Sequence, residues 1–166
     1  MDQDRRYEQA MVAHGDAVAR LARAIEADPQ RREELVQEIC VQVWRSLASW
    51  DGRCSERTWV LRVAHNVAAS HVDRERRRVR THPEAAEAGD DGRALAELER
   101  RQAVAVVHRW VRELPLLDRQ VALLFLEGLA PVEIAEVVGA SANAISVRLT
   151  RVKAALAERW MEAGHG

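Results

Sequence analysis

The chain has 166 residues, 48% of them hydrophobic, which suits one ordinary domain or two small ones with a packed core and excludes global disorder. A formal net charge of −1 argues against a uniformly basic nucleic-acid coat, and two cysteines without a CxxC argue against a zinc site or disulfide framework. No apolar run approaches the roughly 20 residues of a bilayer span and no signal-peptide core opens the chain, so the expectation is a cytoplasmic protein with no membrane insertion of its own.

Helical periodicity runs nearly throughout and strand alternation is missing, which predicts an all-α fold. The first helix is expected over roughly 5–26, with Met11, Val18, Leu21 and Ile25 at helical spacings and Asp28-Pro29 ending it. The second, roughly 31–48, sets Leu35, Val36, Ile39, Cys40, Val43 and Leu47 on one stripe. Cys40 there reads as a small core residue. The other side carries Glu34, Gln37, Glu38, Gln42 and Arg45. The segment "SWDGRCSE" then interrupts with Asp51-Gly52 as its turn, and Cys54 within it reads as a surface residue, with a reactive thiol as the alternative.

Ser55 is the expected N-cap of a third helix. Its inner face is formed by Val60, Val63, Ala64, Val67 and His71, while Arg62, His65 and Asn66 are expected to project from the other side. The helix runs into "HVDRERRRVR", residues 71–80, which holds five Arg against two acids. Residues 84–99 reverse the balance, with six acids against Arg93 alone. A basic contact zone followed by an acidic tether fits this segregation. We place a first domain at 1–81, an acidic linker at 82–98 around "THPEAAEAGDDG", and a second domain at 99–166.

Helical periodicity resumes near Arg93 and reaches Glu113, where Pro115 forces a break. The next helix, "LLDRQVALLFLEG", ends at Gly128, a natural left-handed cap position. Pro131 opens a short helix that stops at Gly139, and Ser141 caps a last helix running to about Glu162. In that helix Ile145, Leu149, Val152 and Leu156 face inward, and Asn143, Val147, Thr150 and Ala154 face outward, flanked by Ser146 and Arg151. The pair fits a DNA-binding helix-turn-helix, and it also fits an ordinary helical hairpin.

The Arg run likewise admits two readings, a solvated helix end or a phosphate-attracting surface. The second gains from Arg62, His65 and Asn66 lying beside Trp59 and the Trp50 loop, since aromatics among cations are what unpaired bases need. Trp59 fits a core position equally well. Motifs of nucleophilic, P-loop or metalloprotease chemistry are missing, so neither enzyme, metal nor cofactor is expected.

Together, "ELVQEICVQVWRSLASWDGRCSERTWVLRVAHNVAASHVDRERRR" and "LPLLDRQVALLFLEGLAPVEIAEVVGASANAISVRLTRVKAAL" resemble the two conserved domains of the small extracytoplasmic-function (ECF) sigma factors of bacterial RNA polymerase. The resemblance covers nearly the whole chain, and both patterns occur in the family's order. It implies a promoter-specificity factor that needs no ATP for melting and is held in check by an anti-sigma factor. Glu34, Gln37, Glu38 and Gln42 would dock on the clamp helices of the polymerase's largest subunit, and the second domain on the flap of the second largest. Trp50, Arg57, Trp59, Arg62, His65 and Asn66 would hold the unpaired −10 strand, with Arg74, Arg76, Arg77 and Arg78 on its backbone. Ser141, Asn143, Ala144, Ser146, Val147, Arg148 and Arg151 would meet the −35 duplex. The chain departs from the family's pattern at Ser146-Val147, where a cation and Ser are usual, and at Ala130-Pro131, where Ser or Thr usually caps. A DNA-binding regulator that dimerises through its first domain, or a helical module without DNA contact, remains open; neither accounts for the Gln/Glu face, the Trp loop and the Arg-ended helix together.

Overall fold

The computed structural model describes residues 2–81 and 95–164; side chains in the second stretch are described at 103 and from 105 onward. The chain divides into two compact units, Met1–Asp90 and Asp91–Gly166. All regular structure among the described residues is helical: α1 (Gln3–Ile25), α2 (Pro29–Leu47) and α3 (Glu56–Thr81) in the first unit, then α4 (Leu95–Glu113), α5 (Leu116–Leu126), α6 (Pro131–Val138) and α7 (Ala142–Glu162) in the second. The expected linker lies outside the described residues up to position 94; from Leu95 the backbone is already helical.

The first unit is a three-helix bundle in which every pair of helices packs together. Its centre is filled by Val18, Leu21 and Ile25 of α1, by Leu35, Ile39, Val43 and Leu47 of α2, and by Val60, Leu61, Ala64 and Ala68 of α3. Asp28-Pro29 does more than end α1. Asp28 accepts a hydrogen bond from Arg31 N at 2.9 Å and Pro29 occupies the first turn, so α2 starts two residues before the periodicity alone suggested. Ser55 caps α3 as expected, with Thr58 N donating to its Oγ at 3.1 Å. Val36, Val63 and Cys40, expected inside, are half-buried. Cys40 lines an open groove with Tyr7, Val41, Trp44 and Arg45 instead of entering the core. Burial, then a hydrogen bond to the Cys40 thiol, pushes the Tyr7 phenol up to about 12.

Polar contacts close the end of this bundle where α1 stops, α2 starts and α3 runs on. His71 Nε2 lies 2.9 Å from Glu26 Oε2, and Glu75 Oε2 accepts from Arg31 at 2.6 Å and from Arg78 at 3.0 Å. Burial alone would raise the Glu26 carboxyl; hydrogen bonds from His71 and from Asp28 N, with the Arg31 charge nearby, together lower it. The same balance, burial opposed by Arg31 and Arg78, lowers Glu75.

The second unit packs α5, α6 and α7 against one another, with α4 on α5. Val121, Leu124, Ile134, Ile145, Leu149 and Val152 form its core. Leu156, expected inside, is half-buried. Trp110 of α4 meets Trp160 of α7 edge to face at 6.2 Å. The buried Arg119 donates to the backbone carbonyls of Arg112 and Leu114, tying α5 to the end of α4. Gly128 and Gly139 both take positive φ, 81° and 73°. Each ends a helix in the left-handed cap, and the second creates the tight α6–α7 turn. Glu133 reaches back to accept from Ala130 N at 2.7 Å, which supplies a cap bond where the residue before Pro131 has no side chain to offer one.

Candidate nucleic-acid interface

On α2, Glu34 and Gln37 are exposed, and Glu38 and Gln42 are half-buried. Two apolar side chains continue this face: Val41 is 46% exposed and Trp44 39%. Sequence reasoning passed over both; at 100° per residue Val41 falls opposite the Leu35–Leu47 stripe, where an apolar residue is a surface signal, and Trp44 falls at the flank of the stripe. Trp44 is held in place, its Nε1 donating to Asp4 Oδ1 at 2.8 Å while its carbonyl accepts from Gln3.

The loop after α2 is short and braced. Gly52 takes φ 77°, Asp51 Oδ1 accepts from Arg53 N, and Trp50 Nε1 donates to Cys54 O at 3.0 Å. Arg6 of α1 lies 5.7 Å from the Trp50 ring. Trp59 is half-buried, its Nε1 donating to Ser46 Oγ at 3.2 Å, and the Arg62 guanidinium lies 5.9 Å from its ring. Arg57 and Arg62 are half-buried and Asn66 is exposed. The loop and the first turn of α3 thus each hold a half-buried tryptophan with a guanidinium near its ring, Arg6 at Trp50 and Arg62 at Trp59.

His65 does not belong to that surface. It is 1% exposed, packed into the core with Ala64 and Ala68, and burial drops its imidazole to about 3. The error came from the width of the buried face: a helix enclosed by two partners buries an arc far wider than one stripe, and His65 falls within it. Burial keeps this imidazole neutral.

Further along α3 the cations divide. Arg74 makes a bidentate pair with Glu38, at 3.1 and 2.6 Å, and Arg78 is engaged by Glu75. Arg76 and Arg77 are exposed and make no ion pair among the described residues. The Glu38–Arg74 pair joins the α2 face directly to the basic end of α3.

In the second unit the α6–turn–α7 geometry is that of a helix-turn-helix: an eight-residue helix, a left-handed glycine and a capped second helix. Ser141 caps α7, accepting from Ala144 N at 3.2 Å. Asn143, Ala144, Ser146, Val147 and Arg151 are exposed, whereas Arg148 is half-buried in an ion pair with Asp118 of α5 at 2.6 Å. Among the described residues no helix is long and apolar enough to cross a membrane.

The family model described as Sigma-70 region 2 matches residues 11–78, which is the α1–α3 bundle. The RNA polymerase sigma-H factor of Pseudomonas aeruginosa is 28% identical over 140 residues, covering 78% of this chain and 72% of that protein. The ECF RNA polymerase sigma factor SigX of Bacillus subtilis is 42% identical over 41 residues, covering 25% of this chain and 21% of that protein. Two solved structures share the fold. The sigma factor RpoE in complex with the anti-sigma factor NepR, from Bartonella quintana, has a TM-score of 0.74 at 16% identity, over 92% of this chain and 94% of that one. CnrH in complex with the cytosolic domain of CnrY has a TM-score of 0.70 at 23% identity, over 96% of this chain and 90% of that one.

Proposed function

We propose that this chain is an ECF-type RNA polymerase sigma factor, a reading supported by its match to Sigma-70 region 2 over residues 11–78 and its similarity to sigma-H, and that it is a promoter-specificity subunit with three working faces. The α2 face with Glu34, Gln37 and Gln42, widened by Val41 and Trp44, docks on the clamp helices of core polymerase. The Trp50 loop with Trp59, Arg57, Arg62 and Asn66 holds the unpaired −10 strand, with Arg76 and Arg77 on its phosphates. The α7 face meets the −35 element as duplex, and the second unit docks on the polymerase flap. Residues 82–94, with four acids against one Arg, join the two units in sequence. The family's role is non-enzymatic, and melting is driven by binding energy for the opened strand, so no nucleotide hydrolysis is required.

The observation that carries this reading is that the region 2 match coincides with the unit holding the α2 face, the tryptophan loop and the Arg-ended helix together. An anti-sigma partner belongs to the proposal as well: one structural neighbour is a complex with the anti-sigma factor NepR, and the other a complex with the cytosolic domain of CnrY.

Purified chain added to core polymerase is expected to start transcription from its promoter without ATP hydrolysis for melting. If the chain fails to retain core polymerase in a pull-down, the proposal is wrong. Asn66→Ala and Arg62→Ala should each lower open-complex formation by about fivefold or more, the scale of one lost polar contact to an ordered strand, while leaving duplex −35 binding unchanged. Equal loss in both assays contradicts the strand assignment.

A further inference from the structure

The outward stripe of α7 carries less hydrogen-bonding capacity than its sequence implies. Ser146 Oγ donates to Ala142 O at 3.0 Å, and Thr150 Oγ1 donates to Ser146 O at 3.0 Å. Both hydroxyl protons are thus used inside the helix, leaving outward only lone pairs and the Thr150 methyl. Arg148 is turned to α5 by Asp118, and the Lys153 ammonium sits 4.0 Å from the Phe125 ring, also on α5. What remains at the front of the helix is the Asn143 amide, the Ala144 methyl and the isopropyl group of Val147, 57% exposed.

These groups suit particular base edges. An amide can hold adenine through N6 and N7 together, whereas guanine calls for a guanidinium or ammonium. An isopropyl group in the major groove has one apolar partner, the C5 methyl of thymine. Asn143 and Val147 stand one turn apart, about 6 Å along the axis, near the helix N-terminus that contacts base edges in this motif. That separation matches roughly two base steps of about 3.4 Å. Arg151, two turns beyond Asn143, is placed for phosphate.

We propose that α7 selects an A·T-containing −35 duplex, with Asn143 on an adenine and Val147 on a thymine methyl within about two base steps of it, and that Arg148 is a positioning residue that fixes α7 on α5 through Asp118. The proposal rests on the reading of the second unit as the −35 reader.

The test selects promoter fragments from random DNA with the chain assembled on core polymerase, then replaces thymines of the upstream element one at a time by deoxyuridine, which lacks only the methyl. Deoxyuridine at one or two positions is expected to lower affinity about two- to fivefold, the scale of one buried methyl. Val147→Ala should lower affinity for the thymine duplex by the same factor and remove the deoxyuridine effect. Asn143→Ala should erase about a tenfold preference for adenine at one position. A selected element that is indifferent to deoxyuridine at every position overturns the proposal without touching the functional reading, as does an effect that persists in Val147→Ala. Selection of fragments with a −10 element but no upstream element overturns both. Because the deoxyuridine series uses the unaltered protein, a variant that fails to fold does not blunt the test.

Discussion

Near its C-terminal end α3 presents the exposed cations Arg76 and Arg77, roughly five turns from Trp59 and Arg62 at its start; on α7 the outer face presents the Asn143 amide, the Val147 isopropyl group and one exposed cation, Arg151. The difference follows from what each face would meet. An opened strand offers flat base faces and a flexible backbone, so aromatic platforms and mobile charge are useful, and a fixed hydrogen-bond pattern is not. A duplex keeps its bases stacked and offers only groove edges, so a slim helix with small side chains can enter deeply and read by shape and a few contacts. Each unit also pairs an arginine with a carboxylate of a neighbouring helix, the exposed Arg74 with Glu38 and the half-buried Arg148 with Asp118.

The largest expected effect comes from the cores beneath the two faces. Leu61 and Ile145 are both fully buried, so Leu61→Ala and Ile145→Ala should each cost about 2–5 kcal/mol in denaturant unfolding. Residue-resolved hydrogen exchange should show each loss confined to its own unit; a loss spread equally over both would mean that they unfold as one.

Acid should separate the units next. His65 is held at about 3 by burial, below its ordinary 6.5, so the unfolded chain binds the extra proton and stability falls as pH drops below 6.5. By pH 5 the first unit should have lost about 2 kcal/mol, and His65→Leu should abolish that decline. Glu26 and Glu75, whose folded values are lowered, contribute stability that is present above the ordinary carboxyl range and lost as pH falls through their folded values, so a second decline follows below about pH 4.5. Protection factors in the second unit, corrected for the intrinsic pH dependence of exchange, should fall less from pH 7 to 5, and an equal decline there would remove His65 as the cause.

The smallest effects test which arginines touch phosphate. Arg76→Ala should reduce the salt slope for single-stranded −10 DNA by about 0.7, and Arg151→Ala that for −35 duplex by about 0.9. Arg74→Ala and Arg148→Ala should change the slopes less, because their charges are already compensated within the protein. Equal slope changes for all four would erase the distinction between contact and positioning residues.

Much of this was legible in the residues. Seven helices, the Ser55 and Ser141 caps, the left-handed Gly128 and Gly139 and the Arg-ended third helix all follow from local rules, since caps, glycine conformations and 3.6-residue periodicity act within a few positions of the chain. Tertiary structure alone decided which side chains those helices leave for a ligand. His65 was read as outward because periodicity marks one buried stripe, whereas two packing partners bury a wider arc of α3. An Arg on an outer face looks free in sequence until a carboxylate some 30 residues distant or more is folded against it, as Glu38 is against Arg74 and Asp118 against Arg148. Periodicity is a property of one helix, and burial and pairing are properties of its neighbours, which no short stretch of sequence contains.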